Sequence, residues 1–170
     1  MSKGEPIPYD DAMRIAKKHL INIGMMDSVE KIVIVGSLRR KKEIVNDIDY
    51  QIIGHSGRIA EYFYDKGWIY ESGKEKRQIF VAPSGLYLNC FYTERVHWGA
   101  SLMHNTGPSR YNIRKRAMIK KKGGVLNQYG LYMQREDSDI DEDYEYIAGK
   151  SEQDIYDALD WTYCKPEDRV

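Results

Sequence analysis

Cysteine is scarce in this chain and forms no pattern. Cys90 and Cys164 lie far apart without CxxC or Cys/His spacing, so nothing suggests a disulfide framework or a zinc site. No apolar run is long enough to cross a bilayer, and the segment MSKGEPIPYDD has no apolar core of signal-peptide length. No internal repeat is visible, and net charge is also absent: 26 Lys and Arg balance 26 Asp and Glu. Taken alone, that balance argues against a nucleic-acid binder. The expectation is a soluble, intracellular protein with no membrane partner.

What is present is charge sorted along the chain. Positive residues gather at Arg39-Arg40-Lys41-Lys42, at Lys74, Lys76 and Arg77, and above all in RYNIRKRAMIKKK from Arg110 to Lys122. Negative residues gather between Glu136 and Glu145. One surface is thus suited to phosphates while another repels them. The 170 residues, 42% hydrophobic and 31% charged, suit one domain or two small subdomains.

Periodicity gives the elements. Asp10 to Ile23 is amphipathic and stops at Gly24, as a helix does. Lys31 to Val35 and Ile48 to Ile53 read as strands, and 57–66 as a helix closed by Gly67. Strands follow at 68–71, 77–81 and 86–92, separated by Ser72-Gly73 and Pro83-Ser84-Gly85 turns. After Arg95 the pattern changes to a helix over 96–104, a Thr106-Gly107-Pro108 break and a basic helix from Ser109 to Lys122. A hairpin over 125–133 and a helix opened by the capping-box-like Ser151-Glu152-Gln153-Asp154 complete the reading. The fold class expected is α+β: a mixed sheet with helices over residues 1–93, then a helical and hairpin subdomain over 94–170. The acidic stretch reads as a solvated loop.

The most informative feature is Gly36-Ser37-Leu38-Arg39-Arg40 followed by Asp47-Ile48-Asp49. Carboxylates one residue apart on a strand share a face, because side chains alternate with period two, so both can reach one metal. The Gly-Ser pair ending the apolar run 32–35 offers a hydroxyl, backbone N–H groups and two guanidinium groups. Asp-x-Asp alone is usually a solvated strand end, and Gly-Ser alone usually a turn. In the order strand, Gly-Ser, basic loop, Asp-x-Asp, strand they suit nucleotidyl transfer, which uses two metal ions about 3.5–4 Å apart held by bridging carboxylates.

Three stretches in this order, GSLRRKKEIVNDID, Thr106-Gly107 with the helix through Arg116 and on to Asn127-Gln128-Tyr129, and SEQDIYDALDWTYCKPEDR, resemble the family X DNA polymerases. The likeness is to their palm and nucleotide-binding subdomains and includes the short viral member. It implies a nucleotidyltransferase-type palm, a dNTP and primer-template or gapped DNA as partners, a monomer, and two Mg²⁺ ions with Mn²⁺ as a substitute. By the same resemblance Ser37 and Arg40 meet the β/γ-phosphates and Gly36 lets the backbone approach them. Asp47 and Asp49 match two metal ligands, and Thr106-Gly107 matches the turn at the sugar. Asn112 and Arg116 match residues that read the minor-groove side of the nascent pair and the template.

Departures from the family pattern are informative. Asn89 stands where the family carries a third aspartate. An amide cannot act as a base or offset a cation's charge, so the activating metal should bind weakly and activity should be low. Asn89 reads as a naturally slow or inactive form, or as an introduced change that traps a substrate complex; the intact phosphate and template residues favour the second. His104-Asn105 replaces aromatics before Thr106, which bears on sugar discrimination. Two alternatives stand beside a gap-filling repair polymerase: a template-independent nucleotidyltransferase and a non-catalytic DNA-binding polymerase homologue.

Overall fold

The computed structural model describes residues 6–135 and 143–170. Its contacts divide the chain into two compact units, Met1–Thr93 and Glu94–Val170.

The first unit holds β1 (Ile7–Pro8), α1 (Tyr9–Gly24), β2 (Val29–Ile34), α2 (Gly36–Arg39), β3 (Ile44–Val45), β4 (Asp47–Gly54), α3 (Ser56–Asp65), β5 (Ile69–Lys74), β6 (Arg77–Val81) and β7 (Tyr87–Tyr92). Five strands form one mixed sheet in the order β2-β4-β7-β6-β5. Only the β4–β7 pair is parallel, with Asp47 opposite Tyr87 and Asp49 opposite Asn89. Alternation along β4 turns Ile48, Tyr50 and Ile52 into the core, fully buried, and leaves Asp47 and Asp49 together on the other face. Tyr50 anchors α1 by donating its hydroxyl to the Ala16 carbonyl at 2.7 Å. Phe63 of α3 stacks on Phe80 of β6 with centroids 4.7 Å apart, so the helices cover the apolar face.

Two local features were not expected from periodicity. The Gly-Ser motif itself, Gly36–Arg39, winds into one helical turn at the head of the basic loop. Gly36 adopts φ +62, a left-handed geometry that turns the chain out of β2, after which the Arg39 and Arg40 amides donate to the Val35 and Gly36 carbonyls. The short β1 pairs with β3, tying the segment after Pro6 to the loop that leads into Asp47.

The second unit holds a 3₁₀ turn (Arg95–His97), α4 (Trp98–Thr106), α5 (Ser109–Lys120), β8 (Gly124–Asn127), β9 (Gly130–Gln134), β10 (Tyr144–Ala148), α6 (Glu152–Ala158) and a 3₁₀ turn at Pro166–Asp168. The hairpin expected over 125–133 is β8–β9, and β10 adds a third antiparallel strand. Residues 144 and 145 of the acidic stretch therefore belong to a strand, where Tyr146 meets Tyr132 across the ladder at 5.6 Å. Residues 136–142 of that stretch lie outside the described residues. α6 has the expected capping box: Ser151 Oγ accepts from the Asp154 amide, and the Ser151 amide donates back to the Asp154 carboxylate. Ala100, Met103, Tyr111, Ile119, Leu131, Ile155 and Tyr156 form this unit's core. Among the described residues no helix is long and apolar enough to cross a membrane.

Candidate active site

The parallel β4–β7 pair builds the centre of the first unit's site. Asp47 and Asp49 leave β4 on one face, and Asn89 of β7 lies beside them. The Asn89 Nδ2 donates to Asp49 Oδ1 at 2.7 Å and to Asp47 Oδ2 at 3.3 Å. Its Oδ1 accepts from Arg77 Nη2 of β6 at 2.9 Å. Asn89 is 4% exposed, so little water competes for these bonds.

Burial, first, and then the neighbouring Asp47 charge push the Asp49 carboxyl up to about 7, against the Asn89 hydrogen bond and the Arg77 and Arg40 charges. Two carboxylates side by side offer hard oxygen donors, a donor set that fits a divalent cation. Among the described residues no group of three or more His, Cys, Asp and Glu side chains gathers for a metal; the amide of Asn89 stands beside the two carboxylates instead.

α2 brings the Gly-Ser motif to this centre. A Cβ at residue 36 would overlap the Asp49 carboxylate, so the close approach requires glycine. Ser37 Oγ is buried with no hydrogen-bond partner among the described residues. An orphaned hydroxyl of this kind is costly unless something else fills it. Arg40 acts electrostatically on Asp49.

The remaining residues singled out from sequence lie in the second unit. Thr106 is fully buried at the end of α4, and Gly107 has φ +63 before a cis Pro108 peptide. Asn112 and Arg116, one turn apart on α5, both reach His104. Asn112 Nδ2 donates to the His104 carbonyl at 2.8 Å, and Arg116 Nη2 donates to His104 Nδ1 at 2.5 Å. Burial and then the Arg116 charge hold the His104 ring below its ordinary pKa, which keeps it a neutral acceptor. These three side chains line one small cleft with Met103, Lys115 and Asn127.

The residues themselves bear comparison with known proteins. Residues 101–170 match the DNA polymerase beta thumb model. Repair DNA polymerase X of African swine fever virus (isolate Pig/Kenya/KEN-50/1950) is 29% identical over 150 residues, which are 83% of this chain and 82% of that protein. These likenesses support a family X DNA polymerase. The same-named protein of the Badajoz 1971 Vero-adapted strain is 34% identical over 112 residues, 61% of this chain and 64% of that one. The DNA polymerase/3'-5' exonuclease PolX of Bacillus subtilis is 26% identical over 132 residues, 75% of this chain and 23% of that one.

The thumb match spans the second and third of the three stretches, but sequence reasoning passed over two residues. Arg77 was counted only within a positive cluster. A hairpin folded about Ser84 pairs Val81 with Tyr87 and Ile79 with Asn89; that register, drawn from the Pro-Ser-Gly turn, would have put Arg77 two positions from the Asn89 pair. Arg169 carried no local signal at all.

Proposed function

We propose that the protein is a minimal template-directed DNA polymerase that transfers a nucleotidyl group from a dNTP to a primer 3′-hydroxyl, filling gaps in duplex DNA as an intracellular monomer. The observation that carries this reading is the meeting of Asp47, Asp49 and Asn89 on two parallel strands with Gly36 close against Asp49.

Asp47 and Asp49 would hold Mg²⁺, with Mn²⁺ as a substitute. When bound, the ions supply charge neutralisation for the triphosphate and lower the pKa of the primer hydroxyl. The orphaned Ser37 hydroxyl donates to the β/γ-phosphates, and the absent Cβ of Gly36 leaves room for them. Arg40 offsets phosphate charge as pyrophosphate departs and the 3′-oxygen bonds to the α-phosphorus. Thr106-Gly107 borders the sugar, Asn112 meets the minor-groove side of the nascent pair, and Arg116 meets the template strand. Asn89 takes no proton at neutral pH and adds no negative charge, so this form turns over slowly.

Primer extension on gapped and ungapped templates tests the proposal. Incorporation of the complementary nucleotide is expected, rising about tenfold or more in Asn89→Asp and disappearing in Asp49→Asn. Untemplated addition would instead favour a template-independent nucleotidyltransferase. DNA binding without extension, even in Asn89→Asp, would favour a non-catalytic homologue.

A further inference from the structure

The arrangement around Asn89 assigns a task to Arg77. Asn89 Oδ1 lies 2.9 Å from Arg77 Nη2, while Nδ2 faces both carboxylates. A guanidinium has five donors and no acceptor, and ionised carboxylates only accept. Reversing the amide would set N–H against N–H on one side and oxygen against two carboxylates on the other. Arg77 is itself held, with its guanidinium 5.2 Å from the Phe91 ring centroid, opposite which it sits in the β6–β7 register.

We infer that Arg77 is a positioning residue: it locks the Asn89 carboxamide so that the N–H₂ group, in place of a cation, bridges Asp47 and Asp49. The inference rests on the reading of this centre as a nucleotidyl-transfer site and names what sets its affinity for cations. A divalent cation must break both amide–carboxylate bonds and sit near the Arg77 charge. Removing Arg77 eases both demands: the amide is free to turn its oxygen inward, and a nearby positive charge is lost.

The test uses the full chain and two readouts that need no turnover. In the metal-free protein at alkaline pH, the Asn89 side-chain ¹⁵N–¹H₂ signals, assigned by their loss in Asn89→Asp, should be shifted downfield and protected from exchange. Arg77→Met should lose that protection, and Arg77→Lys, which still donates to Oδ1, should keep it. Titration with Mn²⁺ alone, followed by electron paramagnetic resonance, should show about three- to tenfold tighter binding in Arg77→Met and near-unchanged binding in Arg77→Lys.

Asn89 amide protons that exchange freely in the unsubstituted protein would overturn the inference without any variant having to fold. So would an Arg77→Met protein with a lowered unfolding midpoint but unaltered or weaker Mn²⁺ affinity, the mark of a merely structural arginine. Absence of primer extension in Asn89→Asp would overturn the polymerase reading and leave both of these readouts unaffected.

Discussion

Arg169 is 1% exposed, and its Nη1 lies 2.8 Å from Glu152 Oε1. The pair is enclosed by further bonds. Arg169 Nε donates to the Cys164 carbonyl at 3.2 Å, and the Tyr163 hydroxyl donates to Glu152 Oε2 at 3.1 Å. The guanidinium also lies 5.5 Å from the Tyr111 ring centroid and 6.0 Å from that of Tyr163. The stretch from Ser151 to Arg169 is therefore a structural device. Its two ends hold one buried ion pair, and Ser151 caps the helix that carries Glu152.

Breaking that pair from one side strands a charge in the core. Arg169→Met or Glu152→Gln should each cost about 3–5 kcal/mol. The double variant should lose much less than the sum of the two. Urea unfolding of the full chain, followed by tryptophan fluorescence, measures all three.

Gly36→Ala combines a left-handed φ, worth about 1–2 kcal/mol against any residue with a Cβ, with overlap onto the Asp49 carboxylate. The carboxylate has to move. Primer extension should fall about tenfold or more, with the far-UV circular dichroism of the unsubstituted protein retained.

His19 gives the fold an acid-sensitive contact. Burial, then the Lys18 and Lys66 charges, lower its pKa from 6.5 to about 4. Nδ1 of the neutral ring is hydrogen-bonded to the Tyr62 hydroxyl at 2.9 Å, and Trp68 meets it edge-on at 5.3 Å. Because the folded value is the lower one, the unfolded chain binds more protons between the two. The stabilisation is whole above about pH 6.5 and declines as pH falls towards 4, by a total on the order of 2 kcal/mol after allowing for partial solvation. Asp49 acts in the opposite sense: its raised pKa stabilises the fold at low pH, and that contribution is lost as pH rises through about 7. Urea midpoints across mildly acid to neutral pH should separate the two, since His19→Phe abolishes the loss on acidification and Asp49→Asn the loss as pH rises to neutral.

Local rules carried the reading a long way where a single segment holds the information. The alternation of Ile48, Tyr50 and Ile52 with Asp47 and Asp49 put both carboxylates on one face before any fold was known. The span 77–81 matches β6 residue for residue, because its β-branched and aromatic residues lie between two turns. Ser151-x-x-Asp154 marked the start of α6 through bonds that close within one turn.

Other features came from pairing between distant segments. β10 is a strand because β9 offers it a ladder. The turn of α2 follows from the positive φ of one glycine pressed against a carboxylate that belongs to β4. Asn112 and Arg116 were read as facing nucleic acid, and in the folded unit they also meet at His104, eight and twelve residues away.

The sequence by itself determined the period-two face that holds Asp47 and Asp49 and the approximate bounds of the longer elements, since these follow from spacing along the chain. Only the tertiary structure decided which way the Asn89 amide points and why Arg169 is buried. Both depend on which donors and acceptors are brought within about 3 Å across strands and turns, and an amide or a guanidinium carries no mark in the sequence of the partner it will meet.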